Sequence, residues 1–458
     1  MDATRAPAPP SSRLSGVALA VLVLATGLWR ASRLTLDVTH DELALVSTQG
    51  PWAVWGWSEG GINPPLLPLL ANLLPVAQVI PVGRAVTLAA GLATLGVVGL
   101  LCGRLAGAGR PWQPLLAVGV LAVAPIHAVA STELRAYAWW ALVAALHLDA
   151  TDRALRPGAR TGVVAAWAAT LSLQAWLHYL AWPLALAEVA WLATRGAEGR
   201  RLLRALPGVA LSWLPLVWLV VAHGGARRAQ GDVLESYALM ATGGLGAAGT
   251  ALGVAVALAI TGLLALSTWR RLPPVGQLAT VLLGVGLAVL PLAGLAHTVR
   301  PPVALLVLLP WAVVLGALPL AGAARTGAWV LAAGAALCGM APHGGEQAFR
   351  GDDPRAVGAL VDDWGAWVDV GLVEAWVVDD PTLLRVCYQA TGAYPVRRPG
   401  GGEPGCDHAG VRLRRIPDPP RDGWLLRPQD RHGPGAPEDC VVAVDHGPYA
   451  VWRCGDPS

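Results

Sequence analysis

Two adjacent carboxylates follow the first apolar stretch of the chain. Asp41 and Glu42 lie in the segment Leu36-Asp37-Val38-Thr39-His40-Asp41-Glu42-Leu43. A carboxylate held at a membrane surface can act as the general base that deprotonates an attacking hydroxyl group. We therefore predict that Asp41 is a catalytic base, that Glu42 orients the substrate beside it, and that His40 supports the same loop.

Further polar residues fall at the predicted outer ends of apolar stretches. Ionisable groups at membrane level are expensive, so several that face one compartment suggest a site. The forked N–H donors of an arginine match phosphate oxygens, which makes arginine a natural phosphate ligand. The polar residues concerned are Asn63, Glu133, Arg135, Tyr137, His178, Tyr179 and Arg300. Asn63, Pro64 and Pro65 are predicted to support the first outer loop together with His40. We predict phosphate contacts for Arg135 and Arg300, and substrate contacts for the aromatic residues and the histidine.

Each of these residues also has a structural interpretation. An Asp-Glu pair after a first span is usually part of a solvated loop. Arg135 could pair with Glu133 or extend along the membrane interface, and His178-Tyr179 could be an interfacial anchor. Glu188 falls inside a predicted span near its cytoplasmic end. We expect its carboxylate to reach water there, and we leave it out of the site.

The composition indicates that these residues belong to a membrane protein. Of the 458 residues, 55% are hydrophobic and 14% are charged, with a mean hydropathy of +0.52. A soluble domain carries about 25% charged residues. The 33 basic residues are all arginines. No nucleic-acid partner is expected, and no metal-ligand cluster stands out, because the sequence has neither an Asp-x-Asp motif nor paired histidines.

The apolar stretches predict about eleven membrane spans. Each is roughly long enough to cross the ~30 Å hydrocarbon layer of a bilayer. The predicted spans are 15–29, 82–101, 115–130, 136–148, 162–179, 181–193, 206–222, 245–266, 278–297, 303–321 and 327–340. The stretch 66–80 is broken by two prolines and favours a juxtamembrane helix.

Arginine positions predict the orientation of the spans. Loops after alternate spans are rich in arginine, and these loops face the cytoplasm by the positive-inside rule. The N-terminus is then cytoplasmic, and the first loop and the C-terminal region lie outside. Arg30 and Arg33 break the rule, and the opposite loops carry few arginines, among them Arg84 and Arg135.

The C-terminal region has a different composition and no further span. We predict that 1–341 form a transmembrane domain, with 34–65 as its first outer loop, and that 342–458 form a small extracytoplasmic α/β domain. Asp353 can cap a helix, and strands are predicted at 371–378, 411–416 and 440–444. The four cysteines of this region allow two disulfides with three connectivities, or they are free thiols. They are Cys387, Cys406, Cys440 and Cys454.

The ordered motifs resemble those of the GT-C glycosyltransferases that use polyprenyl-phosphate sugars. The similar group comprises the protein O-mannosyltransferases and the lipid A aminoarabinose transferases. The matching motifs are Asp41-Glu42, Pro64-Pro65-Leu66, Glu133-Leu134-Arg135-Ala136-Tyr137 and His178-Tyr179, within residues 14–193. The chain departs from the group at Ile62-Asn63, where members often have histidine or an acidic residue followed by lysine.

This resemblance implies an integral membrane enzyme of the bacterial inner membrane. It would move a sugar from a polyprenyl-phosphate donor to a hydroxyl of an extracytoplasmic protein, lipid or glycan. Direct displacement with one base would invert the anomeric centre, and no cofactor is certain. A transporter or flippase of lipid-linked sugars is the alternative class. A catalytically degenerate relative is a third possibility, because of the departure at Ile62-Asn63.

Overall fold

A computed structural model describes most of the helical part of the chain and a C-terminal sheet. The described residues are 10–32, 34, 42, 64–107, 110, 112–223, 261–294 and 300–319, together with six strands between residues 374 and 454. The predicted span at 327–340 and the helix predicted from Asp353 lie outside these residues.

The chain divides into two compact units. The first comprises Met1–Leu34, Gly50–Leu70 and Gly83–Phe349, and the second comprises Thr35–Gln49, Ala71–Val82 and Arg350–Ser458. The division into 1–341 and 342–458 stays a prediction.

The described part of the first unit is built from helices. The helices, some of which extend into the second unit, are α1 (Pro10–Ala31), α2 (Leu66–Ala71), α3 (Val76–Ala106), α4 (Gln113–Val123), α5 (Pro125–Thr132), α6 (Ala136–Ala154), α7 (Thr161–Leu177), α8 (Ala181–Ala193), α9 (Gly196–Leu203), α10 (Leu206–His223), α11 (Pro274–Gly294) and α12 (Arg300–Ala317). Residues 261–267 are also helical, and Trp269–Arg271 form a 3₁₀ turn before α11.

The lengths of these helices bear on the predicted spans. Within the described residues, Gln78–Ala106 is the one helix that is long and apolar enough by itself to cross a membrane. Two bent pairs, α4 with α5 and α9 with α10, raise the number to three if each pair forms one span. Five further apolar helices are shorter, from 10 to 17 residues. The count of eleven spans therefore stays a prediction.

Two of the predicted spans differ in detail from the helices that the structure describes. The helix predicted at 82–101 begins six residues earlier, at Val76, and contains Pro81. Arg84 therefore lies inside α3, where its buried guanidinium donates to the carbonyl oxygen of Leu34 at 2.9 Å. The predicted span at 115–130 is interrupted at Ala124, whose backbone is extended (φ −63°, ψ 119°) before Pro125. A proline disfavours the helical conformation of the preceding residue, which explains the interruption.

Arg30 lies against this interruption and is fully buried. Its Nη2 donates to the carbonyl oxygens of Leu121 at 3.3 Å and Ala122 at 2.9 Å, which are at the end of α4. Its Nη1 donates to the hydroxyl of Ser131 at 2.9 Å and lies 3.0 Å from Nδ1 of His127. The last carbonyls of a helix have no partner within that helix. Arg30 thus joins α1 to α4 and α5, which explains why it departs from the arginine pattern of the loops.

The helices share one apolar core, and other apolar side chains face outward. Large core side chains include Trp140, Trp167 and Leu121. Leu186 and Val221 are 70% and 79% exposed. Exposed apolar residues on helices of this composition are expected where the surroundings are lipid rather than water.

Glu188 is buried in this core, so the expectation that its carboxylate reaches water is wrong. It is 2% exposed and is hydrogen-bonded to His147. The sequence pattern showed the apolar helix but not this long-range partner.

The described strands of the second unit form one six-stranded mixed sheet. They are β1 (Glu374–Val377), β2 (Gly405–His408), β3 (Val411–Arg415), β4 (Gly423–Pro428), β5 (Cys440–Asp445) and β6 (Tyr449–Cys454). The order is β2-β3-β1-β4-β6-β5, with β1 parallel to β3 and β4 and the other pairs antiparallel. The three predicted strands are confirmed as β1, β3 and β5, whereas the helical part of the predicted α/β domain stays a prediction.

Candidate functional site

The structure describes part of the predicted site. His40, Asp41 and Asn63 lie outside the described residues. Arg300 is the first residue of α12, and its side chain is likewise outside the described set. The described residues of the predicted site are therefore Glu42 in the second unit and, in the first unit, the two prolines and the two motifs at the ends of α5 and α7.

A short non-helical segment between α5 and α6 presents the first of these motifs. Glu133 is extended at φ −100° and ψ 142° and ends α5, and its N–H donates to the carbonyl oxygen of Val129. Arg135 is extended at φ −136° and ψ 162° and precedes the first residue of α6. Three non-helical residues between two helices place both charged side chains at a helix junction, where Glu133 is buried and Arg135 is partly exposed.

Arg135 contacts both of its polar neighbours. Its Nε lies 3.5 Å from Oε2 of Glu133, so the structural interpretation that these residues pair is correct. Its Nη1 donates to the hydroxyl of Tyr137 at 3.2 Å, and the guanidinium carbon lies 5.5 Å from the centre of that ring. The Arg135 side chain is 21% exposed, whereas that of Glu133 is 5% exposed. Ion pairing therefore leaves part of the guanidinium accessible.

His178 meets this cluster from the end of α7. Its backbone is extended at φ −158° and ψ 130°, and its N–H donates to the carbonyl oxygen of Gln174. The imidazole centre lies 5.9 Å from that of Tyr137 and 5.5 Å from that of Trp140. Residues 133–140 and 178, which are about 40 positions apart, thus form one cluster, named here the junction cluster: Glu133, Arg135, Tyr137, Trp140 and His178.

The protonation of His178 follows from its surroundings. The backbone N–H of Leu180 donates to Nδ1 at 3.2 Å, so Nδ1 is an acceptor, and we assign the ring proton of the neutral imidazole to Nε2. Because Nδ1 accepts this N–H, it carries no proton, and the ring is an uncharged hydrogen-bond donor through Nε2.

Tyr179 does not join its neighbour in the junction cluster. Its ring lies 5.6 Å from that of Trp182, which lies 6.5 Å from that of Trp213. The adjacent residues His178 and Tyr179 therefore belong to different clusters, and the substrate contact predicted for Tyr179 stays a prediction.

The remaining described residues of the predicted site are buried. Pro64 and Pro65 are buried before α2, and the carbonyl oxygen of Pro65 accepts the N–H of Leu69. The Glu42 side chain is fully buried. A buried acid is not part of a solvated loop, because a charge that leaves water must be compensated.

Trp140 is the cluster residue that the sequence interpretation missed. It follows Tyr137 by three positions in α6, and residues three apart lie on the same face of a helix. This spacing was the signal available in the sequence. Among the residues that the structure describes, no group of three histidine, cysteine or acidic side chains is placed to hold a metal ion.

The fold is similar to that of ArnT from Cupriavidus metallidurans. The crystal structure of ArnT bound to undecaprenyl phosphate matches with a TM-score of 0.53 at 12% identity, covering 95% of this chain and 97% of that chain. The crystal structure of the apo state matches with a TM-score of 0.51 at 14% identity over the same shares. This likeness confirms the fold expected from the motifs, a helical membrane protein similar to ArnT. No protein-family model and no curated protein matches the sequence.

Proposed function

We propose that the chain is an integral membrane glycosyltransferase that moves a sugar from a polyprenyl-phosphate donor to a hydroxyl group outside the cytoplasm. The observation that carries the proposal is the junction cluster, in which two separate sequence motifs meet in a chain with the ArnT fold. That ArnT is bound to undecaprenyl phosphate in one crystal structure supports a polyprenyl phosphate as the donor lipid.

Arg135 is the proposed ligand of the donor phosphate. Phosphate is already a good leaving group, so its departure needs cationic stabilisation more than a second acid. Arg135 is held at a helix junction by Glu133 and Tyr137, and its side chain stays 21% exposed. A guanidinium fixed in this way binds phosphate oxygens with little loss of side-chain freedom.

His178 is proposed to donate a hydrogen bond to the donor from Nε2. The ring is neutral because its Nδ1 accepts the N–H of Leu180, and it packs against Tyr137 and Trp140. A neutral donor stabilises a phosphate or sugar oxygen without adding a second full charge beside Arg135. Asp41 remains the proposed base, Glu42 and Tyr179 remain proposed substrate contacts, and Arg300 remains a second proposed phosphate ligand. Direct displacement with one base inverts the anomeric centre.

Sugar transfer tests the proposal directly. Membranes containing the wild type, Asp41→Asn or Arg135→Gln would receive a labelled polyprenyl-phosphate sugar, and transferred label would be measured. Loss of a general base typically lowers the rate by about 10²–10⁴-fold. Arg153→Gln is the matched control, because Arg153 lies in the last turn of α6, at the opposite end of that helix from Arg135. Transfer by Asp41→Asn at the wild-type rate would exclude Asp41 as the base.

The transporter alternative has one observation in its favour. Glu188 and His147 form a buried ionisable pair inside the helix bundle, and such pairs often mark transport pathways in membranes. If no sugar is transferred while labelled lipid crosses the bilayer in proteoliposomes, and Glu188→Gln stops that movement, the chain is a transporter and the transferase proposal is wrong.

A further inference from the structure

Five exposed arginines lie at the end of the helix bundle where α6 ends and α7 begins. This arginine patch consists of Arg160, Arg200, Arg204, Arg270 and Arg271. Within the described part of the chain, none of these five side chains has a hydrogen bond or an ion pair.

Of the described acids near the patch, Asp149 and Asp152 are already paired with other arginines, and Glu198 in α9 is one negative charge against the five arginines. Asp149 accepts from Arg153 at 2.8 Å, and Asp152 accepts from Arg156 at 2.6 Å. Arg104 also pairs with Asp149. These two carboxylates therefore neutralise other arginines and do not neutralise the positive charge of the patch.

Hydrogen bonds hold the segments of the patch together. Arg201 donates to the carbonyl oxygens of Ala154 and Arg156, which ties α9 to the end of α6. Arg195 donates to Gln277, whose amide donates to the carbonyl oxygen of Trp269 at 2.8 Å. The loop before α7, helix α9 and the turn before α11 are thus fixed beside one another.

Helix α9 packs against the bundle end through one side and exposes Arg200 on the other. Gly196 has φ +61°, a left-handed conformation that favours glycine and lets the chain reverse after α8. Gly199 is buried, and a Cβ there would collide with the carbonyl oxygen of Leu192. Leu202 is fully buried, whereas Arg200 is exposed. The helix is therefore amphipathic and is seated through its small and apolar side.

We propose that the arginine patch binds the phosphate groups of anionic phospholipids in the adjoining leaflet. Headgroup phosphates lie at the level where membrane helices end. Guanidinium groups bind phosphate in a forked geometry, and basic clusters beside membrane helices attract anionic lipids. This inference rests on the helical membrane fold and does not depend on sugar transfer.

Lipid titration of the purified full-length chain tests the inference. The protein in neutral detergent would be titrated with phosphatidylglycerol or phosphatidylcholine, and bound lipid would be counted by native mass spectrometry. The variants are Arg200→Gln with Arg204→Gln, and Arg270→Gln with Arg271→Gln. The matched control is Arg153→Gln with Arg156→Gln, which removes the same charge from arginines that are already paired.

The expected result is preferential binding of phosphatidylglycerol by the wild type. Each patch pair should raise the Kd by about 30-fold. This follows from about 1 kcal/mol for each of two basic residues near the surface, at a tenfold change in Kd per about 1.4 kcal/mol. The control should bind like the wild type. Equal losses in all three variants would indicate diffuse charge and overturn the proposal, as would equal binding of both lipids. Full competition by inorganic phosphate at matched concentration would assign the patch to free phosphate instead.

Discussion

Nε2 of His147 lies 2.6 Å from Oε2 of Glu188, which joins α6 to α8 inside the helix bundle. Both side chains are 3% exposed. The indole N–H of Trp167 donates to Oε1 of Glu188 at 2.9 Å, which adds α7 to the contact. The Thr170 hydroxyl lies 3.0 Å from Nδ1 of His147 and donates to the carbonyl oxygen of Ala166. With the Thr170 proton directed to Ala166, we assign a ring N–H to Nδ1 of His147, and Nε2 and the Glu188 carboxyl group form a hydrogen bond with each other.

Removal of the Glu188 carboxylate should destabilise the helix bundle. Glu188→Ala leaves His147 and Trp167 without their acceptor, and breaking a buried pair costs about 3–5 kcal/mol. Glu188→Gln keeps an amide oxygen for Trp167 and should be milder. Thermal unfolding in detergent measures both variants, with Glu198→Gln in α9 as the control. Equal midpoints for Glu188→Ala and the control would contradict this account.

Arg30 should be needed for the interrupted helix. Arg30→Met removes the donors that satisfy the carbonyl oxygens of Leu121 and Ala122. Each unsatisfied buried polar group costs about 1–3 kcal/mol, so the unfolding midpoint should fall well below that of the wild type. Arg30→Lys keeps the charge but cannot reproduce the forked contacts. Its unfolding midpoint should therefore lie between those of the wild type and Arg30→Met. If the unfolding midpoint of Arg30→Lys is as low as that of Arg30→Met, the positive charge alone contributes nothing to stability.

Cys440 and Cys454 should form a disulfide in an oxidising compartment. They are directly opposed in the antiparallel pair of β5 and β6. Opposed residues have Cβ atoms about 4.5–5.5 Å apart, close to the geometry of a disulfide. The two thiols lose two protons and two electrons to a disulfide oxidoreductase, and an S–S bond forms. Of the three possible connectivities, this one leaves Cys387 with Cys406.

Peptide mapping without reduction tests that pairing. The expected product is a Cys440–Cys454 crosslinked peptide that separates after reduction. A crosslink from either cysteine to Cys387 or Cys406 would contradict the register argument. Cys102, which is buried in α3, is the internal reference for a free thiol.

The sequence by itself determined the elements that depend on local pattern. The apolar run 181–193 coincides with α8, and the strands near 374, 411 and 440 were visible from composition and alternation. The motifs containing Arg135 and His178 were also recognisable, because each is a short run of residue types that suit phosphate or sugar chemistry. Local signals suffice where the backbone conformation depends on near neighbours.

Only the tertiary structure decided which distant groups meet. It separated His178 from Tyr179, added Trp140 to the cluster and gave Glu188 a partner 41 residues away. It also explained Arg30, whose acceptors lie at the end of a helix about 90 residues later. Contacts of this kind depend on how helices pack, and the energy of a buried charge depends on partners that no local pattern specifies.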